Sequence, residues 1–173
     1  GFMLSMIETA LDVTGDRVPA RVIREIVAAG QEMLAHPIEL LPHARAAVER
    51  LAGSHPVLLI TKGDLLDQER KLAQSGLGDL FAGVEIVSDN SAPVYAAIFA
   101  RHGFAAGSVL MAGNSLKSDV LPVLEVGGFG VHVPHDLTWA LEEVEPPEGH
   151  GRFHRLEDLG ALPALVGRIE NSG

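Results

Sequence analysis

The sequence has 173 residues, 47% of them hydrophobic and 21% charged, with no cysteine and a formal net charge of -10. That balance belongs to a folded globular chain, and its charge disfavours nucleic acid or an anionic membrane as partner, because both need a cationic face. Disulfides, thiolate metal sites and cysteine nucleophiles are excluded, and no apolar run approaches the roughly 20 residues of a membrane span.

The first residues, "GFMLSMIETALDVTGD", carry acids and no basic lead, so no secretory signal is expected and a cytoplasmic protein is. Residues 2–12 can form a helix with Phe2, Met6, Ile7, Ala10 and Leu11 on one side. "TGDRVPA" reads as a turn. From Ala20 to Ala35, Val22, Ile23, Ile26, Val27 and Leu34 fall near helical spacing. Pro37 and Pro42 punctuate the stretch after this helix, so residues 1–37 are expected as a helical unit separate from 38–173.

The pattern then changes. "HARAAVERLAG" reads as a helix closed by Gly53. "PVLLI" is a continuous apolar run, the mark of a strand covered on both faces. Helix "LLDQERKLAQSG" comes next, then strand "GVEIVS", helix "APVYAAIFARHG", strand "SVLMAG", helix "SDVLPVLEVGG" and strand "GFGVHVP". Strands alternating with helices across short loops predict an α/β fold, a Rossmann-like parallel sheet wrapped by helices. Ligands in such sheets sit at the carboxyl ends of the strands, where Thr61, Ser88, Asn114 and His135 fall.

Two strand ends carry candidate chemistry. In "ITKGD", Thr61 offers a hydroxyl, Lys62 a cation and Gly63 a close backbone approach, which together suit an anion. The plainer reading is a hydroxyl that caps the next helix. In "MAGNSLKSDVLP", Gly113, Asn114, Ser115, Ser118 and Asp119 suit a hard cation such as Mg²⁺, which needs only one or two carboxylates. The plainer reading is a turn with Ser118 as N-cap and Asp119 in the first helical turn. Asp89 and Ser91 are candidate caps for the helix at Ala92. His132 reads as a core histidine, Trp139 as a packed ring, and "GHGRFHRL", with His150 and His154, as a surface loop. Glu142, Glu143 and Glu145 read as a solvated acidic face.

Taken together, "LLITKGD", "VSDNSAPVYAAIFARHG" and "LMAGNSLKSDVLPVLEVGGFGVHVP" resemble, in order and spacing, the haloacid dehalogenase (HAD) superfamily of hydrolases. The resemblance is closest to phosphatase-like members with a helical cap inserted after the first strand. It implies that Thr61 binds a transferring phosphoryl group, and that Gly113, Asn114 and Asp119 form the Mg²⁺ motif, with Asn114 where an Asp is common and Ser118 beside Asp119. It implies that residues 1–37 are the C-terminal part of the cap. Asn90 stands where the family carries a Lys or Arg. The family's first motif, an Asp-x-Asp ending a central strand and supplying the nucleophile, has no counterpart, and that strand would lie between residues 57–60 and 109–112. The chain is therefore expected to be a fragment of a longer polypeptide and inactive as it stands.

The implied activity of the complete protein is Mg²⁺-dependent hydrolysis of a small phosphorylated metabolite through an aspartyl-phosphate. The magnesium motif argues against a metal-free dehalogenase. The alternative is a non-catalytic relative that binds a phosphate-bearing ligand or a protein.

Overall fold

The computed structural model describes residues 2–135 and 144–172. Contacts divide it into two units, Gly1–Glu39 with Asp64–Gly76, and Leu40–Gly63 with Leu77–Gly173.

The first unit is helical. Its helices are α1 (Phe2–Thr14), α2 (Ala20–Ala35) and α4 (Leu65–Ser75). Met3 of α1 lies directly on Gly30 of α2, where any Cβ would collide with its sulfur. Asp64 caps α4 by accepting the Asp67 N–H at 3.2 Å, and Gly76 closes it in the left-handed conformation that spares glycine a Cβ clash. The residue that caps α4 is thus Asp64, not Thr61. No residue of α1 is buried, and Phe2, Leu4 and Val13 are exposed.

The second unit contains α3 (Ala44–Ala52), β1 (Leu58–Lys62), β2 (Gly83–Val87), α5 (Ala92–Arg101), β3 (Leu110–Gly113), α6 (Leu121–Glu125), β4 (Phe129–His132), β5 (Phe153–Arg155) and α7 (Leu162–Glu170). All strand pairs are parallel, and helices flank the sheets, as the alternation predicts. β1 pairs with β2, with Thr61 opposite Ile86. β3 pairs with β4, with Gly113 opposite His132, and β4 pairs with β5.

The sheet is broken in two, β1-β2 and β3-β4-β5. Both pieces pack on one buried cluster of Tyr95, Ile98, Phe99 and Val123, with Leu58 and Ile60 of β1 and Met111 of β3 against it. β1 and β3 therefore border the same space without bonding to each other. Among the described residues no strand pairs with their open edges. That is where the resemblance leaves a strand out.

Two expectations are corrected. The stretch read as a surface loop contains β5, so His154 lies in the sheet, while His150 is exposed. β5 is held by pairing Phe153 with Gly130 and by stacking His154 on Phe129 at 6.4 Å between ring centroids. Ser91 occupies the N-cap position of α5 but makes no side-chain cap bond. Trp139, Glu142 and Glu143 lie outside the described residues. No helix among the described residues is long and apolar enough to cross a membrane.

On β2, Glu85 accepts from His102 at 2.8 Å and from Arg101 at 2.5 Å. These bonds, His102 first, hold the Glu85 carboxyl below its ordinary range. A lowered carboxylate pKa adds stability above the unfolded pKa and loses it as pH falls through the folded one. Glu85→Gln should therefore cost roughly 0.5–1 kcal/mol at neutral pH, since Arg101 is largely solvated. In urea melts the difference from the parent should shrink as the pH falls below the ordinary glutamate range and through the lowered pKa of Glu85. A pH-independent difference would show that the pair contributes only packing.

Candidate active site

The carboxyl ends of β1 and β3 and the segment after β2 open on one cleft of about 740 Å³. Its lining brings together Thr61, Lys62, Gly63, Asn90, Gly113, Asn114, Ser115, Ser118 and Asp119. The residues singled out from sequence at two separate strand ends thus share one site. Ser88 and His135 do not line it.

β1 delivers Thr61 half-buried, with Lys62 and Gly63 exposed after it. Gly63 has φ 153°, a backbone that residues with a Cβ rarely adopt, and its N–H donates to Val87 O at 3.4 Å. The chain can therefore turn sharply off the strand while its ladder stays paired.

β3 delivers Asp119 through a π-helical turn, Leu116–Val120. Such turns often mark functional positions in helices. Ser115, not Ser118, is the N-cap: its Oγ accepts the Ser118 N–H at 3.1 Å. Asp119 returns the bond, since its Oδ2 accepts the Ser115 N–H at 3.0 Å. The Asp119 N–H donates to Ser115 O at 2.9 Å. Gly113 makes room for this: a Cβ there would lie 2.5 Å from Asp119 Cβ and Cγ.

Asn90 reaches the same carboxylate. Its Nδ2 donates to Asp119 Oδ1 at 3.3 Å, and its own Oδ1 is buried without a partner. Asn90 and the Ser115 N–H thus hold the Asp119 carboxylate at both of its oxygens.

Two side chains under the loop were not singled out for the site by sequence. Tyr95, fully buried on α5, donates its hydroxyl to Ser118 O at 3.0 Å. Burial, and then the Asp119 charge, push its hydroxyl pKa far up, so it stays a donor. His132 on β4 is buried, with Nε2 3.1 Å from Asn114 O. A carbonyl only accepts, so Nε2 carries the proton. Burial holds His132 below the ordinary histidine range, with Nδ1 left buried and unpartnered. It is thus a core histidine satisfied at one nitrogen only.

The donor set can be tested against a cation. Among the described residues no group of three or more His, Cys, Asp or Glu side chains could hold a metal. That is unlike a closed zinc site. Asp119 with the Asn114 amide offers hard oxygen donors only, which fits Mg²⁺, an ion that usually keeps several waters.

A haloacid dehalogenase-like family hydrolase from Xanthomonas campestris is 41% identical to this chain over 98% of its length, with TM-score 0.83, and the chain covers 72% of that protein. The chain belongs to the haloacid dehalogenase-like hydrolase family. The HAD phosphatase from Thermococcus onnurineus shares its fold at 18% identity, TM-score 0.64, with 95% of this chain and 78% of that one covered. So does the magnesium-bound HAD-hydrolase YfnB from Bacillus subtilis, at 16% identity, TM-score 0.62, with coverages of 96% and 83%. No protein-family model and no curated protein matches the chain. In this HAD-like core, as in open α/β sheets generally, the cleft lies beyond the carboxyl ends of the strands.

Proposed function

We propose that this core is the phosphoryl-binding half of a Mg²⁺-dependent phosphohydrolase acting on a small phosphorylated metabolite in the cytoplasm. The convergence of Thr61, Asn114 and Asp119 on one cleft carries the reading. Thr61 donates its hydroxyl to a phosphoryl oxygen, and Gly63 admits the ligand close to the backbone. Asp119 and Asn114 would hold Mg²⁺, which supplies neutralisation of phosphoryl charge when bound. Hydrolysis through an aspartyl-phosphate needs a second carboxylate on a strand between β1 and β3. The only carboxylate lining the cleft, among the described residues, is Asp119, already held by Ser115 and Asn90. Residues 1–37 are assigned the role of a cap segment, for which the exposed apolar side chains of α1 and α2, Phe2, Leu4, Val13 and Met33 among them, are suited.

One observation favours a second reading. Asn90 offers a neutral amide where the family carries a cation, and it is spent on Asp119. A non-catalytic module that binds a phosphate-bearing ligand or a protein would keep this arrangement.

The chain alone should show no turnover of an aryl phosphate with Mg²⁺, and should bind Mg²⁺ at about millimolar concentration, the weak end for hard-cation sites. Asp119→Ala should weaken that binding at least about fivefold in a calorimetric titration. Turnover that tracks the protein peak through repurification would mean that a nucleophile is already present, with Asp64 and Asp89 the first to test. Mg²⁺ binding unchanged by Asp119→Ala would refute the metal assignment.

A further inference from the structure

We infer that Tyr95 is a positioning residue for Asp119: its hydroxyl fixes the Ser118–Asp119 peptide, and through it the carboxylate in the cleft. The cation-binding half of the inference rests on the magnesium reading above.

The observation begins where the π-helical turn runs into α6 at Leu121. In α-helical register the Ser118 carbonyl would accept from the N–H of residue 122. That residue is Pro122, which has none. A part-buried carbonyl needs a partner, and here Tyr95 supplies one from another element. Tyr95 lies on α5, with its ring in the central cluster beside Phe99, 6.1 Å between centroids, and its hydroxyl on Ser118 O.

The other side of the same peptide is held too, because the Asp119 N–H donates to Ser115 O. The plane of the peptide that precedes Asp119 is thus fixed at both its oxygen and its nitrogen. Only the nitrogen side is a local bond within the turn. The oxygen side ties the turn to a rigid core ring, so its loss lets the peptide tilt and carries the Asp119 Cα with it.

Tyr95→Phe removes the hydroxyl and keeps the ring. Phe99→Leu is the control, since it disturbs the same cluster and keeps the Tyr95 hydroxyl. Amide exchange is followed by NMR in metal-free protein, and Mg²⁺ affinity by titration. Tyr95→Phe should speed exchange at Asp119 and Val120 about tenfold relative to the amides of β4, the scale of one lost hydrogen bond. It should weaken Mg²⁺ binding about threefold or more. Phe99→Leu should do neither at equal loss of global stability.

Loop exchange in Tyr95→Phe equal to the parent, or equalled by Phe99→Leu, overturns the inference. So does faster exchange with Mg²⁺ affinity unchanged while Asp119→Ala weakens it. If Asp119→Ala binds Mg²⁺ as the parent does, the magnesium reading falls, and the exchange comparison alone decides the role of Tyr95.

Discussion

Gly113→Ala should cost roughly 1–3 kcal/mol of stability and weaken Mg²⁺ binding together, by no more than Asp119→Ala does, the stability cost being that of forcing one methyl into a filled site. The reason is space. The φ of Gly113 lies outside the left-handed region, so alanine meets no backbone strain there. What it meets is Asp119, 2.5 Å from the new Cβ at both Cβ and Cγ. Asp119 cannot step aside at no cost, because its carboxylate accepts from Ser115 N and Asn90 Nδ2. Either the carboxylate swings out and loses both bonds, or β3 shifts against β4. Denaturant melts of Gly113→Ala in the parent and in Asp119→Ala separate the two. Removing Cγ and both oxygens should relieve part of the cost but not all, since the Asp119 Cβ contact remains. An equal cost in both backgrounds would mean that the methyl clashes with something other than Asp119.

The strand ends were legible because apolar runs such as "PVLLI" and "SVLMAG" break abruptly into polar residues, and a buried parallel sheet has no other reason for that pattern. The support beneath them was not. A π-helical turn has no sequence period of its own, so the pattern points to Ser118 as N-cap where the fold uses Ser115. Tyr95 and His132 sit inside apolar helix and strand patterns that read as core, and core they are. Their polar atoms matter only because the fold brings Ser118 O and Asn114 O to them across 23 and 18 residues. β5 escaped for a different reason. Phe153–Arg155 is three residues long with two polar side chains, and it is a strand by virtue of its pairing with β4 rather than by its own pattern. The break between β1 and β3 is the reverse case, since hydrophobic pattern alone does not say which strands pair.

Asn90→Lys should raise phosphatase activity at least about tenfold in a version of the protein that carries an apolar strand ending in Asp-x-Asp between β1 and β3, because a charge-assisted hydrogen bond to phosphate is worth roughly 1.5–3 kcal/mol. Asn90 is half-buried in the cleft lining, and its amide already touches Asp119, so a side chain starting there is aimed at the site. Lysine is longer and charged. Its ammonium can meet Asp119 and a bound phosphoryl group together, where the amide offers Asp119 one neutral donor. Two native lysines compete for this role. Lys62 lines the cleft but is exposed, and its flexible ammonium is open to solvent. Lys117 is exposed on the π-helical turn. Neither is expected to supply the charge fully. Asn90→Met, of similar length and uncharged, separates charge from size and should lower activity or leave it unchanged. A folded Asn90→Lys protein no faster than the parent would mean that Lys62 or Lys117 already neutralises the phosphate, or that Asn90 does not face it. Removing each lysine in turn then distinguishes these: activity that collapses with one of them identifies the cation in use, and activity that survives both removals shows that Asn90 does not face the phosphate.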